Sequence, residues 1–175
     1  VCSSDLINFE LSNLFIQNFF EINKNPISGN IESKINLNRT ETNRTLSLST
    51  LIRDINIKEY ELGSLEINAF GNTDFDSYSV DLKLLNKDNI SLYSEGTVIA
   101  INEKPNLDLD VNFNDFDISF IEKIGSNTLK DISSSISGQV NLWGSYDNLQ
   151  HNGKLILNNS KFLIPYLNIE YLIRS

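Results

Sequence analysis

The residues that could do chemistry are few and poorly grouped. His151 is the only histidine, so neither a histidine metal site nor a catalytic pair can be built around a second imidazole. Asp115 and Asp117 are spaced as a pair of carboxylates for acid–base work would be. Exposed aspartates also occur at Asp108 and Asp110 within a strand-like alternation, which indicates a solvated face. We therefore expect no enzyme, metal or cofactor, and we predict that His151 lies in a surface turn.

The charge of the chain restricts its partners. The 175 residues include 14 Lys and Arg against 23 Asp and Glu, for a formal net charge of -9. Such a surface repels a nucleic-acid backbone, so we expect no nucleic acid as partner. No apolar run approaches the roughly 18 residues that a membrane-spanning helix needs, so we expect no transmembrane segment here.

The first residues look foreign to the protein. The sequence has no methionine, and the reverse translation of VCSSDL resembles the tail of a sequencing adapter. We interpret residues 1–6 as an assembly artefact and the chain as an internal fragment of a longer protein. On this interpretation the one cysteine, Cys2, is not native, and neither a disulfide nor a thiol site is expected.

Alternation of apolar and polar residues dominates the remaining sequence. In NLDLDVNFN, Asn106 to Asn114, every second residue is apolar. Only a strand with one apolar face and one solvent-exposed face gives that pattern. Similar runs recur between short turns rich in Gly, Asn and Asp. Short connections between successive strands predict an antiparallel meander.

Two stretches, residues 14–22 and 117–132, break the alternation with a spacing closer to that of a helix. Each is followed by the same strand opening, Ile27-Ser28-Gly29 or Ile136-Ser137-Gly138. We interpret this as an internal repeat with crossing segments, which predicts a stacked, elongated architecture. The predicted units are the end of a preceding repeat at 7–25, one repeat with its crossing segment at 26–132, and the start of the next repeat at 133–175.

The second half of the chain carries a recurrent pattern of glycines and apolar positions. Its residues are Phe116-Asp117-Ile118, Ile136-Ser137-Gly138, Leu142-Trp143-Gly144, Tyr146-Asp147-Asn148-Leu149 and Asn152-Gly153-Lys154-Leu155. This region, about Leu107 to Leu172, resembles the C-terminal domain of the TamB translocation and assembly module family in the AsmA-like superfamily. Leu149 departs from the pattern, because the family usually has proline there.

The resemblance implies an all-β fold, a long antiparallel meander curled into an elongated groove (a β-taco, or repeating β-groove) with short helical or irregular crossing segments. It also implies the periplasm of a diderm bacterium, with the full-length protein anchored in the inner membrane. The implied function is movement of phospholipid between the inner and outer membranes and support of outer-membrane protein assembly. The implied partners are phospholipid acyl chains and a TamA-type barrel protein of the outer membrane.

The residues alone lead to a similar set of architectures. A meander with one apolar face must cover that face, and the sequence contains too little helix to do so. A sandwich, a closed barrel and a trough filled by acyl chains remain open. A trough needs no polar recognition, because each buried CH₂ contributes about 0.8 kcal/mol. The residues predicted to line the lipid groove are Leu82, Leu84, Ile90, Leu92, Leu107, Leu109, Val111, Phe113, Val140, Leu142, Leu155 and Leu157.

Three non-enzymatic functions therefore compete. The first is the lipid-conducting periplasmic groove. The second is a structural or adhesive β-repeat protein of the cell surface, which would have a closed core and carry no lipid. The third is a fragment of an outer-membrane barrel, but the single tryptophan, Trp143, and the scattered tyrosines do not form clear aromatic girdles.

Overall fold

The computed structural model describes residues 5–16, 27–40, 44–71, 74, 76–100, 104–124, 130–145 and 147–173. Strands make up 84% of these residues. The strands are β1 (Asp5–Phe15), β2 (Ile27–Arg39), β3 (Arg44–Ile57), β4 (Tyr60–Gly71), β5 (Ser77–Asn86), β6 (Asn89–Ile99), β7 (Asn106–Asp117), β8 (Lys130–Ser145), β9 (Asn148–Ile164) and β10 (Ile169–Ile173). One helical turn, α1 (Ile121–Ile124), lies between β7 and β8.

The ten strands form one antiparallel sheet in which each strand pairs with its neighbours in sequence. Short turns allow this order. Lys87 and Asp88, which join β5 to β6, both have positive φ (47° and 68°), as a two-residue hairpin turn requires. Within the described residues, β1 and β10 form the two edges. The predicted all-β antiparallel meander is confirmed, and the described residues contain almost no helix.

The sheet is a single layer. Pairs of packed strands are neighbours in sequence, and α1 packs against β8. The accessible surface is 11908 Å², whereas a compact monomer of 19.9 kDa exposes about 8,700 Å². The described residues contain no second sheet that could form a sandwich with the first.

Glycines and bulges let the sheet curl. A Cβ atom on Gly138, whose φ is +137°, would lie 2.1 Å from the carbonyl oxygen of Lys154 on β9. A Cβ atom on Gly96, whose φ is +157°, would lie 2.0 Å from the carbonyl oxygen of Asp108 on β7. Bulges interrupt several ladders, for example between Phe113 and Phe116 on β7. Bulges and glycines of this kind bend a sheet into a trough.

The second crossing segment is shorter than predicted. β7 continues to Asp117 because Phe116 and Asp117 extend the ladder by pairing with Ile136 and Ser135. β8 already begins at Lys130, and among the described residues of 117–132 the helical spacing yields the single turn α1. Backbone pairing here overrides the local pattern. In the first predicted crossing segment, residues 14 and 15 belong to β1, and residues 17–22 lie outside the described residues.

The two copies of the Ile-Ser-Gly motif are used differently. Gly29 gives room to a side chain, because a Cβ atom there would lie 2.8 Å from Cδ1 of Ile16. Gly138, by contrast, gives room to the backbone of β9. The sheet is continuous through both motifs, and residue 133, the predicted start of the next repeat, lies inside β8.

Candidate functional site

Cross-strand pairing sorts the side chains onto two faces, because directly opposite residues point to the same side of a sheet. The row through Leu109 illustrates the first face. It consists of Phe9, Ile35, Leu48, Ala69, Val80, Gly96, Leu109, Leu142 and His151. Except for the histidine at its end, this row across β1 to β9 is apolar or glycine.

Neighbouring rows on the same side extend this surface along the strands. We name each row by its residue on β7: Leu107, Leu109, Val111 and Phe113. Together the four rows form the apolar face. Its few hydroxyl groups include those of Ser33 and Thr50, which lie 2.8 Å apart and hydrogen bond to each other. This pairing lowers the cost of placing two polar groups on an apolar surface.

The opposite side, the polar face, is built from the alternate residues. The row through Asp110 consists of Glu10, Lys34, Ser49, Asn68, Asp81, Glu95, Asp110, Asn141 and Asn152. Its members bond to one another along the row. The Asn68 amide donates to Asp81 over 2.8 Å, and Lys34 and Glu10 form an ion pair of 2.8 Å. The two faces therefore differ in chemistry along the whole meander.

Eleven of the twelve residues predicted to line a groove lie on the apolar side of the sheet, ten of them in the four rows. Leu157 lies just beyond the four rows, opposite Ile136, which in turn pairs with Phe116. Ile90 is the residue that does not fit the rows. Leu92 pairs with Leu84, but a bulge in β6 shifts the next pair, so that Ile90 lies opposite Leu85. The prediction omitted residues of β1 to β4 that share these rows, although the same alternation marks them: Phe9, Ile35, Leu48 and Ile67.

One part of the apolar face is covered. Ile16, which follows β1, packs with Ile55 and Leu84 in a buried cluster, and Phe116 packs against that cluster. Leu84 is only 5% exposed. We call this region the covered part. The sequence signal for it was weak, because Ile16 belongs to an irregular segment whose packing partners lie two or more strands away.

An aromatic group in the second crossing segment adds to this cover. The Phe120 ring lies 5.9 Å from the Phe116 ring and 5.8 Å from the Tyr60 ring, measured between centroids. Phe120 directly precedes α1, whereas Tyr60 begins β4. The segment between β7 and β8 therefore reaches back over the sheet as far as β4.

Polar contacts fix this segment. Asp117 accepts hydrogen bonds from the backbone N–H of Ser119 at 2.8 Å and from its hydroxyl at 2.6 Å. Burial opposes ionisation of Asp117, but these bonds and one from the Tyr60 hydroxyl lower its pKa below the usual value. Burial, and then the bond to Asp117, raises the pKa of Tyr60. At the far end, Lys58 Nζ donates to the carbonyl oxygen of Lys123.

The Leu107 and Leu109 rows of the apolar face are uncovered. In the Leu107 and Leu109 rows, none of the apolar side chains that the structure describes is buried. Exposure is greatest towards the edges, with Phe9 57% exposed and Leu149 41% exposed. We call these two rows, together with the exposed residues Leu155 and Leu157 on the same side of β9, the open part. Contiguous exposed apolar surface of this kind marks a binding surface.

The polar residues singled out from the sequence do not assemble a reactive centre. His151 is exposed but lies in β9 opposite Leu142, so the prediction of a turn was wrong. β9 extends its pairing with β8 to Asn148, which draws His151 into the ladder. Asp115 is exposed and accepts a hydrogen bond from the Ser135 hydroxyl. Trp143, 40% exposed, lies opposite Asp108 on the polar face.

The described part of the chain holds no group of three side chains arranged to bind a metal ion. Nor does it contain a helix long and apolar enough to cross a membrane. No protein family, curated protein or solved structure matches the chain. The resemblance to the TamB family therefore stays a prediction.

Proposed function

We propose that this chain is a non-enzymatic segment of a periplasmic, TamB-like groove that shields phospholipid acyl chains between the inner and outer membranes. The observation that carries the proposal is the contrast between the two faces. Apolar rows run across β1 to β9 and stay uncovered in the open part, while the opposite face is mostly polar, with single apolar side chains such as Trp143 and Ile156. A sheet of this kind can cover its apolar side with a ligand instead of a second protein layer.

Acyl chains suit this surface because the hydrophobic effect is not directional. Ten buried methylene groups contribute about 8 kcal/mol without any specific contact. The acyl chains can then move from strand to strand along the rows, since no hydrogen bond to them must break. The apolar rows lie side by side over several strands, so such movement meets similar chemistry at each step.

The wider setting is part of the same proposal and rests on the family resemblance. It includes an inner-membrane anchor in the full-length protein, a TamA-type barrel partner and support of outer-membrane protein assembly. The competing function is a structural or adhesive β-repeat protein with a closed core. It predicts that the open part is covered by protein and carries no lipid, so one experiment separates the two.

The experiment uses two neighbouring residues on opposite faces. Leu155 and Ile156 are both 47% exposed, but Leu155 pairs with Gly138 on the apolar face and Ile156 pairs with Ser137 on the polar face. Both can accept a charge without burying it. We expect Leu155→Asp to lose about nine-tenths of the phospholipid that co-purifies from a diderm periplasm, whereas Ile156→Asp retains it. Mass spectrometry of extracted lipids measures the difference.

A second pair tests the same idea in the interior of the sheet. Leu109 and Asn112 lie on opposite faces of β7, and we expect Leu109→Asp, but not Asn112→Asp, to remove the lipid. Circular dichroism checks that each variant is folded. A folded wild-type protein without bound lipid would contradict the proposal and favour the closed-core function. Equal lipid content in Leu155→Asp and Ile156→Asp would contradict the assignment of the face.

A further inference from the structure

Two arginines face each other where the apolar face ends. Arg39 is the last residue of β2 and Arg44 the first of β3, and they are directly opposite in the ladder. The preceding pair in that ladder on the same face is Leu37 with Leu46, of the Leu107 row. Because side chains alternate, both arginines belong to the apolar side of the sheet.

This arrangement places two positive charges side by side. Like charges directly opposite in a sheet repel each other. Asp5 lies across from Arg39 on β1, yet neither arginine forms an ion pair within the described part of the chain. The ion pairs there use other cations: Lys34, Arg53, Lys83, Lys104 and Lys161. Both arginines are exposed, in a chain whose net charge is strongly negative.

We propose that Arg39 and Arg44 bind the phosphate group of a phospholipid whose acyl chains lie on the open part of the apolar face. Two guanidinium groups offer planar, paired donors that match phosphate oxygens. An anion between them would replace their repulsion with two attractions. This inference rests on the proposed function, and it adds a fixed position for the lipid headgroup.

The dimensions agree with this position. From Arg39 along β2 to Ile31, which packs against the buried cluster, the chain advances eight residues, or about 26 Å at ~3.3 Å per residue. The acyl chains of one leaflet span about 15 Å, half the thickness of a bilayer's hydrocarbon core. Chains anchored at the arginines would therefore lie along the open part and end before the covered part.

The test compares two double variants of the full chain that remove the same charge. Arg39→Gln/Arg44→Gln removes the proposed site. Lys34→Gln/Arg53→Gln removes two cations that form ion pairs with Glu10 and Glu32. The probes are diheptanoyl phosphatidylglycerol below its micelle concentration, its water-soluble headgroup glycerophosphoglycerol, and uncharged diheptanoylglycerol. Isothermal titration calorimetry at fixed salt measures each affinity.

We expect Arg39→Gln/Arg44→Gln to weaken binding of the phospholipid about tenfold or more and to leave binding of the uncharged lipid unchanged. The control variant should bind both lipids like the wild type. Unchanged phospholipid binding in Arg39→Gln/Arg44→Gln would overturn the headgroup site, while uncharged-lipid binding would still support the groove. If glycerophosphoglycerol bound as tightly as the phospholipid, the site would be one for soluble phosphates. If the wild type bound neither lipid, the proposed function and this inference would both fail.

Discussion

The covered and open parts of the apolar face are made by the same strands with the same alternation. In the Phe113 row, Leu84 on β5 is 5% exposed whereas Leu155 on β9 is 47% exposed. The strands do not cause this difference, since both residues point to the same side. It arises because Ile16 packs against Leu84, and Phe116 packs against the same cluster. Leu155 has no such cover within the described residues.

The comparison shows that alternation determines which side chains share a face, but not whether that face is buried or exposed. Whether an apolar row becomes a core or a binding surface depends on the short irregular segments that cross it. Here those segments cover the region around Ile55 and Leu84 and leave the Leu107 and Leu109 rows free. A small buried cluster can then hold the sheet in shape while the open part stays exposed.

The largest expected effect separates the two parts by stability. Leu84→Ala opens a cavity in the buried cluster, and we expect it to lower the free energy of unfolding by about 3 kcal/mol. Leu155→Ala removes the same atoms from an exposed position, and we expect a loss below about 1 kcal/mol. Urea unfolding followed by circular dichroism measures both. Equal losses would mean that the open part is as closely packed as the covered part, which would contradict the comparison.

A smaller effect is expected from the two glycines of the Ile-Ser-Gly motif. Gly138→Ala forces a side chain onto a residue with φ of +137° and against the Lys154 carbonyl oxygen, so we expect a loss of about 2 kcal/mol. Gly29→Ala meets the flexible end of Ile16 at 2.8 Å and, less closely, the Arg53 carbonyl oxygen at 3.2 Å, and it should cost less because no positive φ is forced on a side chain. The same urea titrations compare them. A greater loss at Gly29 would mean that the cover over the sheet is more rigid than the sheet itself.

The sequence was sufficient to predict the meander and the face of eleven candidate groove residues, because strand alternation is a local signal. It was insufficient for Ile90, since the bulge that moves it depends on how β5 and β6 align. The covered part could not be predicted from the sequence either, because Ile16 contacts Ile55 and Leu84 only after several strands have paired. The Arg39–Arg44 pair could have been predicted from the sequence, because alternation on both sides of one short loop places the two residues opposite each other.

The smallest expected effect concerns the polar contacts that hold the cover in place. Hydrogen bonds from Ser119 and Tyr60 lower the pKa of Asp117 in the folded protein, although burial opposes them. An unfolded aspartate titrates near 3.9. The contribution of Asp117 to stability is therefore present above about pH 4 and is lost as the pH falls through the lower, folded pKa.

Asp117→Asn should remove this dependence on pH. We expect the stability difference between the wild type and Asp117→Asn to be below about 1 kcal/mol at neutral pH and to shrink as the pH falls from 5 to 3. Tyr60→Phe removes one of the donors to Asp117 and should give an intermediate profile. Urea unfolding at each pH measures all three proteins. If the wild type and Asp117→Asn lost stability in parallel over this range, Asp117 would not stabilise the crossing segment. The rings of Phe116, Phe120 and Tyr60 would then hold that segment in place without it.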